Sequence, residues 1–395
     1  MPTINCMILS DRVVRHLEYD RALSYATHLA TRLTELFASL SPTAVIGAFD
    51  GFHGAIAFAV ARKMRIPWFA MHFSTIPMGL SSFCSGLTPN TVVTLDPPPD
   101  ERLRLLAEET LDAFERKALE APAYYSANDI RTIIERLPRH VRALTAALFH
   151  VLTGRADRQR DDPVPRLMRE YLRKRINLFT LPRTWFVKEP PRTPYLFFGL
   201  HMQPESSIDV WAPFHSDQTN LIEQISRSTP ATHQLLVKLH KSDADNYSRR
   251  QLSRLRRLPG VKLVSPFVSS RPFIEKAALT LSIQGTIGLE AALLGRPVLM
   301  FGESEVMHLP SASQVGAIAH LPEQISAKLK EPRPDRESMV RGLMAYLRSY
   351  SCGCSNYWDT LPSNEEIHAL ANHFKKLGLY VAKGDPGTDA EGLAT

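Results

Sequence analysis

Short apolar runs alternate with polar turns and helical stretches through the second half of the chain. Five of these runs are five or six residues long, at 195–200, 234–239, 261–265, 279–283 and 297–301. Runs of this length, rich in branched and aromatic side chains and separated by helices, predict buried strands of a parallel sheet. We therefore predict an α/β domain over 194–332.

The first part of the chain, 1–183, has a weaker pattern of the same kind. Its predicted elements are, in order, an opening strand at 4–9, an amphipathic helix at 21–40, a strand at 43–49, a helix at 54–63 and a strand at 67–72. The strand–helix–strand spacing predicts a second α/β unit, in which the opening strand has the weakest pattern.

Prolines and polar segments divide the chain further. Four prolines within 182–194 predict a linker between the two domains. The remaining predicted features are helices at 101–119 and 131–152, a mobile polar loop at 154–165, closing helices within 333–380 and a disordered tail at 383–395.

Composition is that of an ordinary soluble enzyme. The chain has 395 residues, a hydrophobic content of 44% and a net charge of +7, and its length predicts two domains. The start lacks the basic and apolar pattern of a signal peptide, and no run approaches the ~18 apolar residues of a spanning helix. We therefore expect a cytoplasmic protein, peripheral at the membrane at most. Cys352 and Cys354 form a C-x-C pair with too few evident partners, and we predict no metal site.

Basic residues are concentrated between 131 and 175, where they outnumber acidic residues twelve to five. A basic amphipathic segment can contact the anionic inner face of a membrane. A solvated or core-facing helix has the same composition, and both interpretations stay open. Because no aromatic residues are interleaved for base stacking, we predict no nucleic-acid partner.

The strongest local signal for chemistry is Gly285-Thr286, which follows the fourth apolar run. A strand that ends in Gly-Thr at a helix start offers close backbone approach, a hydroxyl cap and free N–H groups, and so predicts a phosphate site. Glu290 lies one turn further on the same helix face, where a carboxylate can accept both ribose hydroxyls of a nucleotide. An ordinary helix start with an exposed glutamate has the same pattern.

Polar side chains also follow the first two apolar runs. His201, Gln203 and Glu205 follow the run at 195–200, and Lys238 and His240 end the run at 234–239. Because the carboxyl ends of parallel strands border the ligand crevice, we predict that these side chains meet a diphosphate or a sugar phosphate. The alternative is a turn whose polar groups satisfy one another. The D-x-D string 243–245 is interpreted as a solvated loop.

Candidates for a catalytic base come from both halves of the chain. Asp50 and His53 occupy the matching strand end in the first part, where either could remove a proton from an acceptor hydroxyl. Glu205 is the third candidate, and helix-capping turn residues are the alternative for the first two. No Walker, nucleophile-elbow or H-E-x-x-H motif occurs, which argues against an ATPase, a serine hydrolase or a zinc protease.

Three segments resemble bacterial capsule polysaccharide biosynthesis proteins. Residues 195–205, with Leu-His-Met-Gln-Pro-Glu after an aromatic strand, are similar to the L-H-x-Q-P-E motif of that family. Residues 266–275 and 282–301, the latter with Gly-Thr-x-Gly-x-Glu-Ala, also resemble it. The family is similar to GT-B glycosyltransferases and includes enzymes that transfer Kdo from CMP-Kdo. The resemblance implies an α/β fold of two Rossmann-like domains facing across a cleft, with closing C-terminal helices.

By this resemblance the C-terminal domain binds the nucleotide sugar and the N-terminal domain binds most of the acceptor. The residues that match nucleotide-sugar-binding motifs are His201, Gln203, Lys238, His240, Ser282, Gly285, Thr286 and Glu290, and Glu205 completes the first motif. Lys241 stands where the K-x-H-P motif has proline, so that match is incomplete. The first domain matches too loosely to assign a base.

The leading hypothesis is a glycosyltransferase that needs neither cofactor nor metal. It would move a sugar from a CMP- or UDP-linked donor to a carbohydrate or lipid-linked acceptor in surface polysaccharide biosynthesis. One alternative is a sugar-nucleotide epimerase of the same two-domain architecture. The other is a non-catalytic partner in polysaccharide assembly or export, with a degenerate site.

Overall fold

The computed structural model describes residues 2–48, 51–117, 145, 148–149, 152–153, 164–353 and 363–383. The helices, in chain order, are α1 Ile4–Ser10, α2 Tyr19–Leu40, α3 Phe52–Lys63, α4 Asp100–Glu115, α5 Val164–Phe179, α6 Ser206–Asp209, α7 Gln218–Ser228, α8 Arg249–Arg256, α9 Arg271–Lys276, α10 Thr286–Leu293, α11 Leu321–Lys328, α12 Arg336–Leu347 and α13 Asn364–Ala382. The strands are β1 Val45–Gly47, β2 Trp68–Phe73, β3 Ser81–Cys84, β4 Val92–Val93, β5 Phe186–Val187, β6 Tyr195–Gly199, β7 Gln234–Lys238, β8 Val261–Val264, β9 Leu279–Ser282, β10 Val298–Met300 and β11 Ala312–Gln314. A 3₁₀ segment, Lys241–Asn246, follows β7.

The chain divides into two compact units. The first contains the described residues of 26–120 and 336–395, and the second contains those of 3–25 and 121–335. These bounds differ from the segments 1–183 and 194–332 predicted from the sequence, because the N-terminal helix packs with the second unit and the closing helices with the first. In the second unit α1 packs against α6, and Arg15 lies 3.8 Å from the carboxylate of Asp209.

The first unit contains a short mixed sheet in the order β1-β2-β3-β4. Strands β1 and β2 are parallel and connected through α3, as the sequence predicts, whereas β3 and β4 are added antiparallel. The predicted opening strand at 4–9 is wrong. This segment is helix α1, whose start is capped by the Thr3 hydroxyl accepting from the Cys6 N–H at 3.2 Å.

The second unit contains a parallel sheet of seven strands in the order β11-β10-β9-β6-β7-β8-β5. All five strands predicted for this region are present, so the α/β class is confirmed. Edge strands β5 and β11 were missed, and β5 lies inside the predicted linker. Both are too short, at two and three residues, to leave a periodic signal.

Apolar strands and flanking helices explain the stability of this sheet. One hydrophobic core contains fully buried side chains from three neighbouring strands: Leu196, Phe198, Leu235, Val237 and Leu281. Near-continuous apolar sequence is what a parallel sheet covered on both faces requires. If strands β6 to β11 are numbered 1 to 6 along the chain, their order across the sheet is 3-2-1-4-5-6, which is the doubly wound order. The chain adds strands on one side of β6 and then returns to add β9 on its other side, so the direction reverses between β6 and β9.

Other sequence predictions fall outside the described residues. These include most of the helix at 131–152, most of the loop at 154–165, and the tail beyond residue 383. Among the helices that are described, none is long and apolar enough to cross a membrane.

Candidate functional site

The reversal point between β6 and β9 brings three chain segments together at the carboxyl ends of the strands. Residues 200–205 follow β6, residues 283–290 follow β9 on one side, and Lys238 at the end of β7 with residues 239–246 lies on the other. In doubly wound sheets ligands bind at this crevice. Most of the site residues predicted from the sequence lie in these segments.

His201 joins two of these segments. Its Nε2 atom contacts both the carbonyl oxygen and the N–H of Gln284, the latter at 3.2 Å. Burial lowers the pKa of His201 to about 4, so the ring is neutral at physiological pH. The Nδ1 atom is buried and has no hydrogen-bond partner among the described residues. His201 therefore connects the strand ends across the reversal point.

Gln203 is used by the protein itself. Its side-chain NH₂ donates to the Ser216 carbonyl at 3.0 Å, and its side-chain oxygen accepts from Gln218 at 3.0 Å. Gln218, almost fully buried, also brackets the backbone of His201, accepting from its N–H at 2.8 Å and donating to its oxygen at 3.1 Å. The two glutamines hold the 201–205 loop through these hydrogen bonds. The hydrogen bonds of Gln203 agree with the alternative given above, a turn whose polar groups bond to one another.

Glu205 lies at the exposed end of the same loop. Its backbone N–H donates to the buried Asp209 carboxylate at 3.1 Å. Loss of hydration among the surrounding loop atoms raises the pKa of Glu205, and the nearby charge of Asp209 raises it further. Water still reaches this carboxyl, so Glu205 can exchange a proton with a bound molecule.

Lys238 is the most unusual charged group of the site. It is 7% exposed, and its ammonium makes only two long contacts, to the Pro266 oxygen at 3.4 Å and the Leu239 oxygen at 3.5 Å. No described carboxylate lies within ion-pair distance of it. Burial lowers the pKa of Lys238 to about 8, although the charge of Glu290 acts in the opposite direction.

His240 lies beside this lysine. Its Nδ1 accepts the Ser242 N–H at 3.2 Å, so the ring caps the 3₁₀ segment Lys241–Asn246. Burial lowers the pKa of His240, and the charge of Lys238 lowers it further. The predicted pair of cations at this strand end is therefore a buried lysine next to a neutral histidine.

Gly285 and Thr286 begin helix α10. Gly285 has a φ of 85°, a conformation that favours glycine, and it is the N-cap residue. Thr286 was predicted to cap the helix, which is wrong, because it is the first helical residue and no side chain caps this end. Among the described residues no side chain caps the first-turn N–H groups, an arrangement that suits an anion.

The start of α10 and Lys238 are held next to each other through Gly199. Gly199 pairs with Lys238 in the sheet. A Cβ added to Gly199 would come within 2.1 Å of the Ile287 side chain in the first turn of α10. The absence of a side chain at Gly199 thus allows helix and strand to approach closely.

Ser282 does not face the crevice. It is 0% exposed and its hydroxyl donates to the Gln284 carbonyl at 2.6 Å. The same Gln284 carbonyl also contacts His201. Ser282 therefore stabilises the turn between β9 and α10.

The D-x-D string was interpreted as a solvated loop, which is wrong. Asp243 and Asp245 are only 3% and 5% exposed. Asp245 lies 3.5 Å from Arg175, and its carbonyl accepts from Asn177 at 2.9 Å, so this segment holds α5. Burial raises the pKa of Asp243 to about 7. No group of His, Cys, Asp and Glu within the described part of the chain could hold a metal ion.

The candidate bases of the first part belong to the first unit. His53 lies exposed in the first turn of α3, and its ring stands edge-on to that of Phe52 at 6.3 Å. Asp50 lies outside the described residues. The roles of both residues stay predictions.

Three side chains that organise the site were missed: Gln218, Gln284 and Asp209. Their partners are mostly backbone atoms of distant segments, such as the Glu303 carbonyl for Gln284. A motif search compares residues at fixed spacing, so contacts of this kind leave no signal in the sequence. The only signal in the sequence for these three side chains is that they are polar and that one of them, Gln284, directly follows a predicted strand.

Comparisons with known proteins give distant structural similarity. No family model and no curated protein matches the chain. A Kdo 2,4 transferase, KpsC of Thermosulfurimonas dismutans, has a TM-score of 0.43 at 13% identity over 84% of this chain and 86% of that one. A Kdo 2,7 transferase KpsC of the same organism has a TM-score of 0.34 at 13% identity over 79% and 82%. The UDP-GlcNAc 2-epimerase of Neisseria meningitidis, bound to UDP-GlcNAc, has a TM-score of 0.30 at 14% identity over 92% and 84%.

The similar structures thus include both kinds of protein that the sequence motifs suggested, transferases and epimerases. Identities and scores this low carry no argument about activity. The proposal for function therefore rests on the geometry of the site.

Proposed function

We propose that the second unit binds the phosphate of a nucleotide sugar between β6 and β9, and that the protein transfers the sugar to an acceptor hydroxyl. The single observation that carries this proposal is Lys238. A buried ammonium with two long carbonyl contacts is unfavourable unless an anion approaches it. A phosphate bound there would supply the missing partner.

The surroundings of Lys238 support an anion of this type. Gly199 places the uncapped first turn of α10 against the same strand end, and a helix N-terminus favours negative charge. Glu290 follows on this helix, where it balances part of the charge of Lys238. We assign to its carboxylate the ribose hydroxyls of a nucleotide.

Lys238 and the start of α10 would act when the sugar leaves the donor phosphate. The bond between the anomeric carbon and the donor phosphate breaks, and the acceptor oxygen bonds to that carbon while its proton passes to a base. Negative charge grows on the leaving phosphate, which Lys238 and the N–H groups of α10 would stabilise. For the base we propose Glu205 in this unit, with Asp50 and His53 as the candidates of the first unit.

Binding is the direct test. CMP, UDP and their sugar conjugates would be titrated by calorimetry into the wild-type protein, Lys238→Met and the control Lys262→Met, which changes an exposed lysine of β8. We expect a nucleotide to bind the wild type and the control and to bind Lys238→Met at least about tenfold more weakly, since a charge-assisted contact contributes about 1.5–3 kcal/mol. Binding of no nucleotide by the wild type would contradict the proposal.

Glu205 also supports a second candidate, an epimerase of sugar nucleotides. A carboxyl with a raised pKa can remove a proton from the donor sugar itself. Incubation of the donor alone in D₂O separates the two activities by NMR. An epimerase forms an isomer that carries deuterium, whereas a transferase releases nucleotide only after an acceptor is added. A protein that binds the donor but does neither would be a non-catalytic assembly partner.

Contact with an anionic membrane remains part of the proposal. Helix α5, at the end of the basic stretch 131–175, exposes the apolar side chains Met168, Leu172, Ile176 and Phe179. Their spacing puts them on one side of the helix, with the exposed Arg169 and Arg173 next to them. Flotation with phosphatidylglycerol vesicles tests this, and we expect Leu172→Ser with Ile176→Ser to weaken it.

A further inference from the structure

We propose a second anion site on helix α8 that takes a ligand with two or more phosphate groups. A cavity of about 810 Å³ runs along this helix, and its lining includes Trp185, Arg249, Arg250, Arg254 and Arg257. This volume is within the range of about 300–1,000 Å³ typical of sites for small molecules. None of these residues belongs to the crevice between β6 and β9.

The charge of the cavity is largely uncompensated. Arg254 is paired with Glu223, its Nη2 lying 2.6 Å from the carboxylate. Within the described parts of the chain no carboxylate pairs with Arg249, Arg250 or Arg257. Three guanidinium groups that share one cavity repel each other, and a multivalent anion would relieve that repulsion.

The position of two arginines at the start of α8 also favours a bound anion. Arg249 and Arg250 are its first two residues, and the first turn contains no acidic side chain. Cations at a helix N-terminus oppose the helix dipole. The helix start is instead secured by a capping box between Ser248 and Gln251. Arginine here is unfavourable for the helix alone, and a bound phosphate would make it favourable.

Trp185 arranges the guanidinium groups before a ligand arrives. Arg249 and Arg256 lie over its ring, with their Cζ atoms 5.4 Å and 5.1 Å from the centroid. Arg250, Arg254 and Arg257 follow at spacings of four and three residues, which puts them on one helix face. Arginine binds phosphate in a bidentate manner, so several groups fixed on one face suit a ligand with more than one phosphate.

Tripolyphosphate is the probe for this site. It would be titrated into full-length Lys238→Met protein, so that binding at the proposed donor site is weakened, and into Arg250→Gln with Arg257→Gln in that same background. The matched control is Arg192→Gln with Arg227→Gln, which removes two exposed arginines of the same unit. We expect the α8 variant to bind at least about tenfold more weakly and the control to stay within about twofold of its parent.

Fluorescence locates the binding. Tripolyphosphate should change the emission of the protein, and Trp185→Phe should remove that change. Phosphatidylglycerol vesicles form a second arm: loss of flotation in the α8 variant identifies a lipid headgroup as the source of phosphate, and unchanged flotation identifies a soluble ligand. Equal tripolyphosphate affinity in the α8 variant and its parent, or no binding to either, overturns the proposal. Because the α8 variant and its parent carry the same Lys238→Met change, neither result bears on the proposed transferase.

Discussion

Replacing Lys238 by methionine keeps an unbranched buried side chain, one atom shorter, and removes its ammonium. The pKa of Lys238 falls from 10.5 to about 8 in the folded protein. At about 1.4 kcal/mol per pKa unit, keeping this group charged costs the folded state about 3 kcal/mol relative to the unfolded chain. The variant would not recover all of this free energy, because two carbonyl oxygens lose a weak donor.

We therefore expect Lys238→Met to be more stable than the wild type by about 1–2 kcal/mol at pH 7. For a unit of this size that corresponds to a rise in Tm of about 2–8 °C. The folded pKa is lowered, so the unfolded chain binds more protons between pH 8 and 10.5. The cost is fully present below about pH 8 and disappears as the pH rises towards 10.5, so the stability advantage of the variant should be lost over that range.

Scanning calorimetry of wild type, Lys238→Met and Lys262→Met at pH 7, 9 and 10.5 measures this directly. The exposed control should change stability by less than about 0.5 kcal/mol. A structural lysine would behave in the opposite way, since its removal lowers the Tm. A drop in Tm for Lys238→Met, or a gain that does not change with pH, would refute the idea that this lysine is held ready for an anion.

Three further outcomes are expected. Gly199→Ala should cost about 1–3 kcal/mol in unfolding experiments, because its Cβ would clash with Ile287, and Ile287→Val in the same chain should recover part of the loss. Asp245→Asn should loosen α5, because the carboxylate contacts Arg175 at 3.5 Å; proteolysis within α5 that stays at the wild-type rate would contradict this. Burial lowers the pKa of His373 to about 4, so the ring stays neutral in the folded protein while it gains a proton in the unfolded chain. The folded state therefore loses up to about 3 kcal/mol of stability as the pH falls from 6.5 towards 4. His373→Leu should show a shallower acid transition by circular dichroism.

The sequence predicted the second unit well and the first unit partly. Strands β6 to β10 are long, apolar and flanked by turns, so local pattern was sufficient for them. The segment 4–9 is apolar enough for either a strand or a helix, and the Thr3 cap and packing against α6 make it a helix. Edge strand β5 consists of two residues and exists only because β8 offers it hydrogen bonds.

The individual site residues divide in the same way. Position at a strand end was enough to select His201, Lys238 and Gly285. It could not predict which of the candidate side chains also bond to other parts of the protein, as Gln203 and Ser282 do. The burial of Asp245 was likewise invisible, because its partner Arg175 is distant in sequence.

By itself, the sequence determined the α/β class, the main strands and the glycine turn before α10, because hydrophobic period and backbone freedom are local properties. The tertiary structure decided which strands are neighbours, and hence that Lys238, His201 and the start of α10 share one edge of the sheet. It also decided that Lys238 is buried almost without partners. Burial and pairing depend on atoms from distant segments, and only folding brings those atoms together.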